Sequence, residues 1–269
     1  MPCYSPLDAY LNRDGEVVWS RKNAVSYLPL PCGKCIGCKK RQSEDWALRC
    51  YHEAMYHDHN SFITLTYDEE NVPFSLNKKH VQDFIKRLRK NHKIRYFAAG
   101  EYGELTGRPH YHIIIFGYSF PDREVLNYKK DNILYRSAEL ESLWPFGHSS
   151  VAQVSMATLR YCVKYIFKTN LHPNQIPPFR LMSRRPIIGH KYLEQFKDEI
   201  YRHDNAVVNA NKFAVPRAYT KFYSDEEREE LKFRRRDRNI KRDRTRERLR
   251  VKEKVKILSI KSLSDHMEE

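Results

Sequence analysis

The sequence predicts an α+β fold: a central antiparallel β-sheet with flanking helices, preceded by a Cys-rich segment and followed by a basic helical arm. Three observations carry that prediction. Residues 61–67 and 110–116 are rich in β-branched and aromatic side chains and read as strands. Residues 94–101 read as a further strand, joined to 110–116 across a short Gly103-to-Pro109 turn, which is a hairpin rather than a helical crossover. Between and after the strands, apolar residues recur at helical spacing.

In chain order, residues 1–37 are rich in Pro, Gly and Tyr and read as irregular. A helix is expected over about 39–56, with Trp46, Cys50 and Ala54 on one stripe and Ala47, Tyr51 and Met55 beside it. After strand 61–67, Ser75 and Asn77 are cap candidates for a helix whose inner positions are Val81, Phe84, Ile85 and Leu88. Strands 94–101 and 110–116 follow. Residues 117–147 read as a connection with one short helix at 139–144. Residues 151–154 suit a strand, and Ser155 suits the cap of a helix reaching about 169. From Ser224 onward Arg, Lys, Glu and Asp dominate, and Ser224-Asp225-Glu226-Glu227 has the pattern of a helix start. The rest of that arm is expected to be partly helical, or disordered when free. Three regions result: a Cys-rich segment, 1–38; a main domain, 39–223; and a charged arm, 224–269.

The net charge of +15 favours a polyanionic partner such as a nucleic acid. Residues 232–256 hold 14 basic and 4 acidic residues, Arg234, Arg235 and Arg236 among them, so the arm can neutralise several phosphates. Arg184 and Arg185, with Phe179 nearby in sequence, and Arg108 are further contact candidates. Runs of about 18 apolar residues are absent, so no membrane partner is expected. The first residues lack the pattern of a secretory leader, which points to a cytosolic setting and reduced thiols. Pro31-Cys32-Gly33-Lys34-Cys35-Ile36-Gly37-Cys38 makes two successive C-x-x-C steps, and Cys3 can complete a set of four thiolates for zinc. The alternative is free thiols in a loop.

Chemistry concentrates at two other places. In a strand, residues i and i+2 face one side, so His110 and His112 point together and can grip one divalent ion. The hairpin brings Glu101 back beside them, with Glu104 a competitor because sequence leaves the register open. Two imidazoles and a carboxylate leave positions for water and a phosphate oxygen. On the following helix Tyr161 and Tyr165 lie one turn apart, as do Lys164 and Lys168. A tyrosine is a weak nucleophile, so it needs a cation on the phosphodiester it attacks. A phosphotyrosine bond then conserves the energy of the broken linkage, and rejoining needs no nucleotide cofactor. A glycine-rich phosphate loop is absent, so the chain is not expected to hydrolyse ATP.

The strand containing Phe62-Ile63-Thr64-Leu65-Thr66-Tyr67, the His110-Tyr111-His112 pair and the Tyr161/Tyr165 helix resemble, in order, the three motifs of the HUH endonucleases. More closely, the chain resembles the replication initiators of the gokushovirus-type Microviridae. That likeness rests on the Cys32-to-Cys38 motif, Gly100-Glu101-Tyr102-Gly103, Gly107-Arg108-Pro109-His110-Tyr111-His112, Tyr161-Cys162-Val163-Lys164-Tyr165 and Met182-Ser183-Arg184-Arg185-Pro186. Ile187 departs from the glycine usual there.

The resemblance implies His110, His112 and Glu101 as ligands of Mg2+ or Mn2+. It implies Tyr161 and Tyr165 as nucleophiles, in an order left open, with Lys164 and Lys168 assisting. Its implied substrate is the single-stranded origin of a circular phage genome in the cytoplasm of a bacterial host, with helicase and polymerase supplied by that host. Two rivals share these residues. One is a plasmid or transposon nickase of the same chemistry. The other is a non-enzymatic, metal-stabilised nucleic-acid-binding protein, in which the histidines and tyrosines are structural.

Overall fold

The amino-terminal stretch expected to be irregular instead folds into three short strands, β1 (Leu7–Leu11), β2 (Val17–Val18) and β3 (Ser26–Leu30), in the order β2-β1-β3. The Asn12-Arg13-Asp14-Gly15 turn closes the first hairpin. Asn12 Oδ1 accepts the Glu16 N–H at 2.8 Å, and Gly15 takes φ 77°, which a side chain would resist. The strands are too short, and too exposed on both faces, for alternation to reveal them.

The computed structural model describes residues 3–103, 106–129, 132–164, 174–240 and 245–265. The chain divides into two units: Met1–Ser43 with Phe222–Glu269, and Glu44–Lys221. The first holds β1 to β3, the start of α1 (Ile36–Ala54), α6 (Asp225–Ile240) and α7 (Arg246–Asp265). The expected cap of α6 is present as a reciprocal pair. Ser224 Oγ accepts the Glu227 N–H at 3.2 Å, and a Glu227 carboxylate oxygen accepts the Ser224 N–H at 2.7 Å. No helix among the described residues is long and apolar enough to cross a membrane.

In chain order the second unit contains the rest of α1, β4 (Asn60–Thr66), α2 (Lys78–Leu88), β5 (Arg95–Tyr102), β6 (Pro109–Phe116), β7 (Glu124–Lys129), β8 (Asn132–Arg136) and α3 (Ala138–Leu143). There follow β9 (Ser149–Ala152), α4 (Met156–Lys164), β10 (Phe179–Met182), α5 (His190–His203), β11 (Ala206–Val208) and β12 (Asn211–Phe213). Seven strands form an antiparallel sheet in the order β10-β5-β6-β4-β9-β8-β7, while β11 and β12 pair with each other. The α+β class is as expected. The hairpin β7–β8 corrects the reading of 117–147 as a connection. Its Val125, Leu126, Tyr128 and Ile133 are exposed, so no buried face imposed a legible period. Strand β10, helix α5 and the β11–β12 hairpin were likewise not foreseen. Met55, expected beside the buried stripe of α1, lies past the end of the helix and is exposed.

Alternation along the central strands divides the core in two. On one face Ile63, Leu65, Ala98, Tyr111, Ile113 and Ile115 meet Val81, Phe84, Ile85 and Leu88 of α2. Burying each of these larger side chains contributes about 1.5–3 kcal/mol. Asn77 caps α2 as expected, its side chain accepting the Lys79 N–H at 2.9 Å. On the other face Phe62, Phe97, Ala99, Ile114 and Phe116 meet Ala47 and Cys50 of α1 and Leu159, Cys162 and Val163 of α4.

Trp144 locks the end of β4. It is 1% exposed, lies against Tyr67 and Phe146, and donates its indole N–H to the Thr66 carbonyl at 2.8 Å. Trp144→Ala is expected to cost about 3–5 kcal/mol, read as a lower urea midpoint at unchanged slope. A loss under about 1 kcal/mol would show that this corner is not part of the cooperative core.

Candidate functional site

The apolar face of β6 changes character towards its start. Same-side residues run Phe116, Ile114, His112, His110, so the strand delivers two imidazoles where the cover of α1 and α4 gives way to polar groups. Register supplies the carboxylate. Glu101 on β5 stands directly opposite His110, and Ala99 opposite His112. The turn that sets this register is short: Gly103 N–H donates to the Arg108 carbonyl at 2.9 Å and Gly107 N–H to the Gly103 carbonyl at 3.0 Å. Gly107 takes φ 65°, a conformation that favours glycine. Glu104, the competing acid, lies outside the described residues.

The three side chains converge on one atom. His110 Nε2 lies 2.9 Å and His112 Nε2 2.8 Å from Glu101 Oε1. Both rings are held from behind. His110 Nδ1 is 3.1 Å from the Arg108 carbonyl, which can only accept, so Nδ1 carries a proton. His112 Nδ1 is 3.1 Å from Thr64 Oγ1, its partner across the β4–β6 ladder. Glu101 is 2% exposed, and its Oε2 is buried without a hydrogen bond among the described residues. Burial by itself would raise its pKa, but hydrogen bonds and charge from His110 and His112 hold it below the ordinary carboxylate value. A buried carboxylate needs positive charge beside it. Either protons on the two Nε2 atoms or one divalent cation among the three donors meets that need, so the residues fit a metal ion.

Tyr161 completes the arrangement. Its ring meets His112 edge to face at a centroid distance of 5.0 Å, and lies 6.3 Å from the Phe62 ring. The residue is 44% exposed, so it borders both the polar cluster and solvent. Helix α4 is placed by Ser155, whose Oγ accepts the Thr158 N–H at 3.2 Å as the expected cap, and by Cys162 Sγ at 3.6 Å from the His112 carbonyl. Tyr165 and Lys168 lie outside the described residues, as does the side chain of Lys164. Thr64 and Phe62 were overlooked by sequence reasoning. Both belong to a recognised strand, but only its pairing with β6 reveals that they face the histidines.

The other predicted residues fall elsewhere. Arg108 sits at the end of the hairpin turn, just before β6, and pairs with Glu69 at 2.7 Å. Arg184 and Arg185 are exposed after β10. Arg234 and Arg235 lie half-buried on α6, where Arg234 pairs with Glu230 at 3.5 Å; Arg236 is on the same helix, its side chain outside the description. Cys3, Cys32, Cys35 and Cys38 bring their sulfurs within 4.8 Å of one another.

Comparison with known proteins gives three similar chains. Residues 60–170 match the family model for replication-associated protein ORF2/G2P. Replication-associated protein VP4 of Bdellovibrio phage phiMH2K is 30% identical over 244 residues, covering 83% of this chain and 77% of that one. Replication-associated protein ORF4 of Chlamydia phage 1 is 30% identical over 211 residues, covering 71% and 53%. Replication-associated protein ORF2 of Spiroplasma virus 4 is 28% identical over 254 residues, covering 81% and 79%. No solved structure matches the chain.

Proposed function

The chain belongs to the Microviridae-type family of phage replication-associated proteins, and from that premise we propose that it starts rolling-circle replication by nicking single-stranded origin DNA with a tyrosine. The observation that carries the proposal is the edge-to-face contact between Tyr161 and His112, itself one of two imidazoles converging on buried Glu101. A binding module has no need of a half-exposed phenol beside a metal-ready set.

In this reading the seven-stranded sheet with α4 is an HUH-type catalytic layer, and Glu101, His110 and His112 hold Mg2+ or Mn2+. Bound there, the ion supplies Lewis acidity towards a phosphate oxygen. Tyr161 Oη attacks the scissile phosphorus, forming the tyrosyl phosphate ester as the bond from phosphorus to the 3′ oxygen breaks. The phenolic proton goes to solvent, and the leaving 3′ oxygen takes one up. DNA then remains joined by its 5′ phosphate to the protein, and the reverse attack by a 3′ hydroxyl reseals a strand. Tyr165 provides a second acceptor, and Lys164 and Lys168 offset developing negative charge. Thr64 and the Arg108 carbonyl keep the imidazoles aimed during both transfers. Arg108, Arg184, Arg185 and the arginines of α6 contact the phosphate backbone. Unwinding and synthesis fall to host enzymes in the bacterial cytoplasm.

Incubating the full chain with labelled single-stranded origin DNA and Mn2+ tests the reading. The expected product is a covalent adduct that survives denaturing electrophoresis and vanishes with chelator. Tight binding without cleavage or adduct would transfer the function to DNA binding alone.

A further inference from the structure

The four cysteines are not used by this chemistry, and they carry an inference of their own. Cys3 Sγ lies 3.6 Å from Cys32 Sγ and 3.8 Å from Cys35 Sγ, and with Cys38 all four sulfurs fall within 4.8 Å of one another. A disulfide would bring one pair to about 2.0 Å; all four are free. Four sulfurs about 2.3 Å from a central zinc ion, at the corners of a tetrahedron, stand about 3.8 Å apart. The observed spacing is that of sulfurs sharing one small ion. An iron–sulfur cluster, which divides the four sulfurs among two or four irons, needs them spread wider.

Backbone groups are turned towards the sulfurs as they would be towards thiolates. The Tyr4 N–H points at Cys35 Sγ, the Cys32 N–H at Cys3 Sγ and the Cys35 N–H at Cys32 Sγ, each at 3.3 Å. Cys38 lies in the first turn of α1 and Cys35 immediately precedes it, where the helix dipole favours negative charge.

Among the described residues the surrounding unit has only a small apolar core. Its buried apolar residues among those described are Tyr4, Ala9, Cys38, Tyr223, Leu231 and Leu249, and none of these belongs to the hydrophobic clusters, which all lie in the other unit. Small units without a sizeable core depend on staples. We propose that Cys3, Cys32, Cys35 and Cys38 bind one structural zinc ion that ties the start of the chain, the loop before α1 and the first turn of α1 into a single piece. With four protein ligands the site is closed, so it has no position for substrate and serves folding.

The test uses the full chain, purified under reducing conditions. Elemental analysis is expected to find about one zinc per chain, as a preformed tetrathiolate site demands. Exchange for Co2+ is expected to produce the sulfur-to-metal charge-transfer and d–d bands of tetrahedral thiolate ligation. Cys38→Ser should lose the zinc and speed amide exchange across residues 3–43, while Cys50→Ala and His110→Ala keep it. The cobalt spectrum of the unaltered chain needs no variant to fold. Iron in place of zinc, no tetrahedral cobalt spectrum, or zinc retained by Cys38→Ser and lost from His110→Ala would each overturn the assignment.

Discussion

Tyr161→Phe is expected to reduce formation of the DNA–protein adduct at residue 161 at least about 10⁴-fold, to nothing detectable by peptide mapping. The substitution removes one oxygen and keeps the ring, and with it the ring contacts with His112 and Phe62. What disappears is the only atom of residue 161 able to bond phosphorus. A factor of 10⁴ corresponds to about 5.5 kcal/mol of lost transition-state stabilisation. DNA affinity should change by less than about threefold, because binding draws on basic groups elsewhere. Peptide mapping decides the assignment. An adduct on Tyr161 in the unaltered chain, absent from the variant, is the expected result. If Tyr165 accepts DNA when Tyr161 cannot, the remaining adduct will map to Tyr165 and disappear in the double variant. An adduct of full yield in the Tyr161→Phe, Tyr165→Phe chain would sink the tyrosine mechanism.

The second large effect is expected from His112→Ala. His112 is 3% exposed and links Thr64, Glu101 and the Tyr161 ring, so its loss acts on several groups together. Cleavage should fall about 10²- to 10³-fold, the usual cost of removing electrostatic stabilisation at a reacting centre. A purely structural histidine would not move the next readout: on the proposed reading one metal ligand is missing, so the Mn2+ concentration for half-maximal cleavage should rise at least about tenfold. Glu101 is affected too. Burial raises its pKa and the imidazoles offset that rise, so removing one shifts the carboxyl upward. Its folded pKa is depressed in the intact chain, so its contribution to stability is present above the ordinary carboxylate pKa and lost as pH falls through the folded value. In His112→Ala that loss should begin at higher pH, visible as an earlier acid transition in ellipticity. Unchanged metal dependence together with unchanged cleavage would return both histidines to a structural role.

Much of the molecule was open to inspection before any coordinates. Helix α2 buries one face against the core, which writes a helical period into its residues, whereas β4, β5 and β6 are covered on both faces and are marked instead by runs of β-branched and aromatic residues. Short motifs with their own local physics were equally plain: the Ser224 and Asn77 caps, the C-x-x-C steps and the alternating histidines. Elements outside the main core escaped. The β1–β3 sheet and the β7–β8 hairpin leave apolar residues exposed, so no solvent-driven alternation marks them.

The sequence by itself determined which residue types exist for chemistry and, through the period of two, that His110 and His112 share a face. It could not decide what stands opposite them. Register is a property of strand pairing, and only the β5–β6 hairpin sets Glu101 across from His110, only the β4–β6 ladder sets Thr64 behind His112, and only α4 against the sheet brings Tyr161 to His112. The same holds for the cysteines. Their spacing along the chain allowed a metal site, whereas the approach of Cys3 to residues about thirty positions later is a long-range contact that local preference does not encode.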